Sequence, residues 1–126
     1  MTDERDPLTH LVIGAAIEVH REMGPGLLES IYQKCMEAEL KLRGATFQAQ
    51  ARVPLIYKGM ALEGEDLKMD IYFPHQLVVE LKAVEYLLPV HQAQLLTYLR
   101  LSETRVGLLI NFNVPVLKEG IKRMVL

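Results

Sequence analysis

The chain has a single cysteine, no long apolar run and no excess of positive charge, and each shortage removes a class of answer. With Cys35 alone, no intrachain disulfide can form. Its place among apolar residues in a helical pattern marks a buried structural thiol and not a nucleophile. No segment approaches the roughly 20 apolar residues that a spanning helix needs. The first residues carry Asp3, Glu4 and Asp6 where a secretory leader is basic. Neither a signal peptide nor a membrane span is therefore expected, and a reducing cytoplasm is the expected compartment. A net charge of -2 argues against the basic coat that grips nucleic acid unaided. Nucleic acid stays open as a partner, because bound cations offset acidic ligands where a phosphate must approach. His10, His20, His75 and His91 form no cluster, which counts against zinc. Gly24-Pro25-Gly26 is too short and stiff to cradle a phosphate, which counts against small-molecule phosphate chemistry.

What remains is ordinary globular sequence. At 126 residues the chain is long enough for one sizeable core and too short for two, so a single domain over residues 1–126 is expected. Asp6-Pro7 reads as an N-cap followed by proline at the first helical position. Leu8, Leu11, Val12, Ala15, Ala16 and Val19 then recur at helical spacing up to Met23, where Gly24-Pro25-Gly26 breaks the helix. A second helix is expected from about Leu27 to Arg43, with Leu28, Ile31, Tyr32, Cys35 and Leu40 as its apolar side and Gly44 as its stop.

The period then changes. Phe47 to Tyr57 alternates in part like a strand and is punctuated by Lys58-Gly59. Leu67 to Phe73 reads as a second strand after a Gly64-Glu65-Asp66 turn, and Pro74-His75-Gln76 connects it tightly to a third, Leu77 to Val84. Pro89 opens a helix over Val90 to Leu101. Val106 to Phe112 is a dense apolar run suited to a strand covered on both faces, and Lys118 to Leu126 reads as a helical turn and a short strand. The order predicts an α/β fold, a mixed sheet flanked by helices.

The chemistry concentrates on Asp70 and on Val78-Val79-Glu80-Leu81-Lys82. Side chains two apart on a strand point the same way, so Glu80 and Lys82 share a face. Asp70 lies on the preceding strand across a short turn, within reach of Glu80. Two carboxylates on one sheet face repel unless a cation joins them, and oxygen donors of this kind suit Mg²⁺ or Mn²⁺. An adjacent ammonium orients a water or stabilises charge developing on a phosphate. Glu-x-Lys on a strand is commonly a solvated ion pair. Leu77, Val79 and Leu81 argue against that here, because they mark an interior strand, where charges are costly unless paired or metal-bound.

Two helical groups join the candidate site. In Gly26-Leu27-Leu28-Glu29-Ser30-Ile31-Tyr32, Glu29 and Tyr32 are three apart on one helix side. Glu29 either stabilises the helix start through the dipole or supplies a third acid acting on metal directly or through water. Tyr32 packs, with its hydroxyl free for a hydrogen bond. His91, Gln94 and Tyr98 form one stripe on the later helix, opposite much of the Leu95, Leu96 and Leu99 surface. Such a stripe is either merely solvated or contacts nucleic-acid backbone and supports Lys82 from behind, with His91 a bystander.

These blocks together resemble the GxxExxY protein family, a branch of the PD-(D/E)XK nuclease superfamily. The resemblance begins at Gly26-x-x-Glu29-x-x-Tyr32 and continues through Tyr57-Lys58-Gly59, Asp70 and Val79-Glu80-Leu81-Lys82-Ala83. It extends over Ala93-Gln94-Leu95-Leu96-x-Tyr98-Leu99, Gly107-Leu108-Leu109-Ile110-Asn111-Phe112 and Ile121-Lys122-Arg123. It implies a restriction-endonuclease-like core in which Asp70, Glu80 and Lys82 match the D…ExK residues. Glu29 then matches a helix acid added to the metal site, and Gln94 and Tyr98 match a QxxxY element. Met69 stands where the superfamily name would put proline, a loosely kept position.

The expected function is a Mg²⁺- or Mn²⁺-dependent nuclease acting on DNA. Asp70, Glu80 and the Leu81 carbonyl would be metal ligands, with Lys82 positioning the attacking water, Glu29 completing the shell, and Gln94, Tyr98 and Tyr32 in support. So small a core offers little surface for sequence readout, since specific DNA interfaces usually bury ~1,000 Å² or more. Structure-selective or nonspecific cleavage is expected, or a homodimer that doubles the contact area through the first helix or the Val114 to Leu126 tail. The rival expectation is a nucleic-acid-binding or assembly module that keeps the fold without hydrolysis.

Overall fold

The computed structural model describes residues 6–126; the acidic Asp3 and Glu4 lie outside them. Helix α1 spans Pro7–Met23 and begins as its sequence requires. The Asp6 carboxylate accepts from the Thr9 backbone N–H at 3.2 Å, and Pro7 takes the first turn, where its missing N–H costs nothing. Val12, Ala15, Ala16 and Val19 form its buried stripe. Gly24, at φ +70, ends the helix by donating its N–H to the His20 carbonyl.

Helix α2 spans Glu29–Leu42 and buries Tyr32, Gln33, Met36 and Leu40. The expected apolar side is shifted. Leu28 stands outside the helix as its N-cap and is 71% exposed, Ile31 is exposed, and Cys35 is half-buried against the core. The face at 32, 36 and 40 keeps the i, i+4, i+8 spacing, which rotates 28 to the helix entry and 31 outward.

Strands β1, Gln48–Tyr57, and β2, Met60–Phe73, form a long hairpin. Lys58 and Gly59, both at positive φ, make the two-residue turn, and Tyr57 faces Met60. The expected turn at Gly64-Glu65-Asp66 is absent. Gly64, at φ +79, lies inside β2, where Ala61 to Asp66 face the shorter stretch Ile56 to Pro54. The glycine marks a bulge, which needs left-handed backbone as a turn does.

Strand β3, Leu77–Lys82, follows a tight turn in which the Gln76 N–H donates to the Phe73 carbonyl. It ends two residues earlier than expected. Helix α3, Pro89–Leu101, leads to β4, Val106–Asn111, parallel to β3. A 3₁₀ turn at Leu117–Gly120 precedes β5, Ile121–Val125. The sheet order is β1-β2-β3-β4-β5, antiparallel except at β3–β4. This is the expected restriction-endonuclease-like α/β architecture, a mixed five-stranded sheet flanked by three helices, with β3 at its centre.

Each sheet face carries its own core. Val12, Tyr32, Met36 and Leu40 pack on Leu77, Val79, Leu81, Leu108 and Ile110. Leu95, Tyr98 and Leu99 pack on the other face, against Val78 and Leu109. The β1–β2 hairpin changes sides between them. Ile71 and Phe73 belong to the α1–α2 core, yet Met69, two residues before Ile71, belongs to the α3 core. Phe47, just before β1, packs with the first core, whereas Ala51 and Val53 on β1 pack with the second. Regular alternation would keep each of these sets on one face, so the pleat slips at the level of Gln50 and Asp70.

Candidate active site

The slip leaves Asp70 with backbone groups that the regular ladder does not serve, and buried polar groups must be satisfied. The β2–β3 register is continuous from Phe73↔Leu77 to Ile71↔Val79 and stops there. Beyond it, side chains take over the bonding. The Asp70 N–H donates to Glu80 Oε2 at 2.9 Å, and the Leu81 N–H donates to Asp70 Oδ2 at 2.8 Å. From α2, Gln33 Nε2 donates to the Asp70 carbonyl at 2.9 Å and to Glu37 Oε2 at 2.8 Å. From β1, Gln50 Nε2 donates to Asp70 Oδ1 at 3.1 Å. The two acids are thus locked side by side, each bridging the gap where the strands part.

Glu80 shares its sheet face with Lys82, as strand alternation requires, and that face looks toward α3. Lys82 Nζ donates to Gln94 Oε1 at 3.3 Å, and Gln94 Nε2 donates to the Tyr98 hydroxyl at 3.0 Å. Lys82, Gln94 and Tyr98 therefore form the chain that the sequence suggested. Their setting differs in one respect. Tyr98 is buried in the same core as Leu95 and Leu99, and Gln94 alone of the two is exposed. The stripe is not a solvated face, because α3 lies over the sheet at its central turns and buries the ring while leaving the hydroxyl to Gln94. His91 caps the helix start, its Nδ1 accepting from the Leu88 N–H at 2.9 Å.

The electrostatics follow from burial. Glu80 is 3% exposed, and burial together with the neighbouring Asp70 holds its carboxyl well above the usual range, against the opposing pull of the Asp70 N–H and Lys82. Burial also raises Asp70, opposed by the Leu81 N–H, Gln50 and Lys82. Tyr98 is pushed up to about 12 by burial and by the charges of Glu80 and Asp70, so its hydroxyl keeps its proton at neutral pH. Two acids that resist ionisation side by side form a site in electrostatic deficit, which a cation would relieve.

Glu29 opens α2, and burial raises its carboxyl, countered by Lys82 and reinforced by Asp70. It lines a cavity of about 430 Å³ together with Gln33, Gln50 and Asp70. It does not close a three-acid cage: among the described residues, no three His, Cys, Asp or Glu side chains are grouped to hold an ion. The start of α2 thus places Glu29 in one cavity with Asp70. Two carboxylates still fit a hard cation such as Mg²⁺, which commonly keeps several waters and takes one or two protein carboxylates plus substrate phosphates.

Tyr32 is committed elsewhere. Its ring stacks on Phe112 at 4.5 Å between centroids, and its hydroxyl donates to the Gly24 carbonyl and accepts from the Leu27 N–H at 3.2 Å. It pins the loop that presents Glu29. On the far side, Asn111, level with Lys82 in the ladder, clamps Val84 after β3. Its Oδ1 accepts from the Val84 N–H at 3.0 Å and its Nδ2 donates to the Val84 carbonyl at 2.9 Å.

Gln33, Gln50 and Asn111 were not among the residues singled out from sequence for this site. Gln33 carried a faint signal, a polar residue beside the buried Tyr32 on a helix. Gln50 carried none. Its φ of +51, rare outside glycine and costing about 1–3 kcal/mol, is visible only in three dimensions.

A five-stranded mixed sheet with acids and a lysine at the parting of its central strands is the architecture of a nuclease class. A family model described as the PD-(D/E)XK nuclease superfamily matches residues 6–124, and the chain belongs to that superfamily. Its members are generally nucleases, acting on nucleic acid and typically using divalent metals. Comparisons with curated proteins and with solved structures returned no match.

Proposed function

We propose that this chain is a divalent-metal-dependent nuclease of the GxxExxY branch, hydrolysing phosphodiester bonds of DNA with Mg²⁺ or Mn²⁺. The observation that carries the reading is the reciprocal bonding of Asp70 and Glu80 where the β2–β3 ladder ends. It holds a buried and a half-buried acid, mutually repelling, at one place at an electrostatic cost that a structural role alone leaves uncompensated.

Asp70 and Glu80 would hold the ion, with the Leu81 carbonyl as a further oxygen donor. Bound there, the ion would supply Lewis-acid stabilisation of the phosphate and lower the pKa of a coordinated water. The rest is the work of the chain's own groups. Lys82, kept toward the site by Gln94, offers an ammonium to the attacking water and to charge growing on the phosphate oxygens. Tyr98, protonated at neutral pH, holds the Gln94 carboxamide in the orientation that receives Lys82. Glu29 acts through water across the cavity, where its carboxyl, raised by burial, can accept or return a proton.

A second reading, a binding or assembly module without hydrolysis, draws support from the net charge of -2 and from the lack of a three-acid cage among the described residues. One assay separates the two. Supercoiled plasmid and a linear single strand are incubated with the protein and Mg²⁺ or Mn²⁺, with EDTA and Lys82→Ala as controls. Cleavage that disappears in both controls is the expected result. Binding without cleavage on both substrates would overturn the nuclease reading.

A further inference from the structure

Asp70 is held on every polar group it has. Three of its partners, Glu80, the Leu81 N–H and Gln33, come from β3 and α2. The fourth is Gln50, directly opposite on the outermost strand β1. We infer that Gln50 is a positioning residue for Asp70, fixing the direction in which Oδ1 is offered to a divalent cation. This rests on the metal-dependent reading above and goes beyond it, because the D…ExK pattern contains no residue on β1.

The geometry supports this in two independent ways. Oδ2 accepts from the Leu81 N–H at 2.8 Å, which leaves Oδ1 as the oxygen whose direction β3 does not fix. Gln50 Nε2 reaches Oδ1 at 3.1 Å, occupying one lone-pair direction and leaving the other. With a donor on each oxygen, the carboxylate plane cannot turn about its bond to Cβ, and the lone pair left on Oδ1 has one orientation. A donor that holds a ligating carboxylate in this manner commonly governs metal affinity.

The backbone supplies the second argument. Gln50 is an exposed strand residue at φ +51, a conformation glycine adopts without strain. Exposure means that no apolar burial rewards the strain. What the conformation does accomplish is visible. It lies where β1 changes faces, and it brings the carboxamide onto Asp70 in the wall of the cavity that Glu29 shares. Non-glycine strain that persists at a titratable cluster points to a functional constraint.

Gln50→Gly separates the two possible roles, since it keeps the backbone shape and removes the carboxamide. The variant and the parent are melted without metal, and Mn²⁺ binding to each is measured by calorimetry. The expected result is a melting temperature equal to or above the parent's, with Mn²⁺ affinity reduced by about ten- to a hundredfold. Unchanged Mn²⁺ affinity in a variant of a metal-binding parent would overturn the inference and leave the metal-dependent reading standing. Loss of melting temperature along with affinity would make Gln50 a structural residue and overturn it too. A parent that binds no Mn²⁺ would overturn both.

Discussion

Tyr32→Phe removes one oxygen and tests what the hydroxyl is for. The ring of Tyr32 is fully buried and stacked on Phe112, and phenylalanine keeps both features. What goes is the donation to the Gly24 carbonyl and the acceptance from the Leu27 N–H. A neutral hydrogen bond contributes about 0.5–1.5 kcal/mol net, so losing two costs about 2 kcal/mol. For a chain of this length that corresponds to a fall in Tm of roughly 6–10 °C. Urea unfolding followed by circular dichroism should show the loss as a lower midpoint at unchanged slope. Limited proteolysis should find a faster cut between Gly24 and Leu28. Metal-dependent cleavage should fall by less than about tenfold, since the hydroxyl acts only through the loop that leads into α2 and Glu29. A variant as stable as the parent but inactive would refute this reasoning, because it would move the hydroxyl from the loop to the reaction.

Two further substitutions test the site and its frame. Glu80→Gln keeps an acceptor for the Asp70 N–H and removes the charge. Because the folded carboxyl lies above its ordinary value of 4.5, the parent's contribution from this group is fully present below that pH and is lost as pH rises through the raised value. In EDTA, the variant should therefore gain on the parent as pH rises from 4 to 8, as read from urea midpoints. Parallel curves would show that Glu80 bears no such cost. Gly120→Ala and Gly107→Ala form a matched pair. A Cβ at 120 would lie 2.2 Å from the Asn111 carbonyl oxygen, whereas one at 107 meets the movable end of Leu95 at 2.9 Å. The first should cost about 1–3 kcal/mol or more and the second clearly less, and equal midpoints would show that β4 and the 3₁₀ turn separate freely.

The parts of the site that obey simple periods were legible in the sequence. Glu80 and Lys82 share a face because strands repeat every two residues, and Asp70 meets Glu80 because the Pro74-His75-Gln76 turn is short. Gln94 and Tyr98 meet because helices bring residues four apart together. The illegible parts depend on a broken period. Gln50 and Gln33 reach Asp70 where the pleat slips, and an alternation rule places residues 69 and 71 on one face when they lie on two. Tyr98 was legible as a neighbour of Gln94 but not as a buried ring, since a helix's tilt over a sheet is decided by packing. Gly64 carried a true signal of left-handed backbone, which a bulge and a turn share.

The change of sides in the β1–β2 hairpin also decides how the site responds to distant damage. Glu29 travels with α2 and the apolar layer beneath it, while Gln94 and Tyr98 travel with the layer on the opposite side of the sheet. A truncation deep in either layer, such as Met36→Ala or Leu99→Ala, would tilt one bank of reactive groups against the other before the chain unravels. Alignment would then be forfeited at temperatures where the polypeptide is still folded.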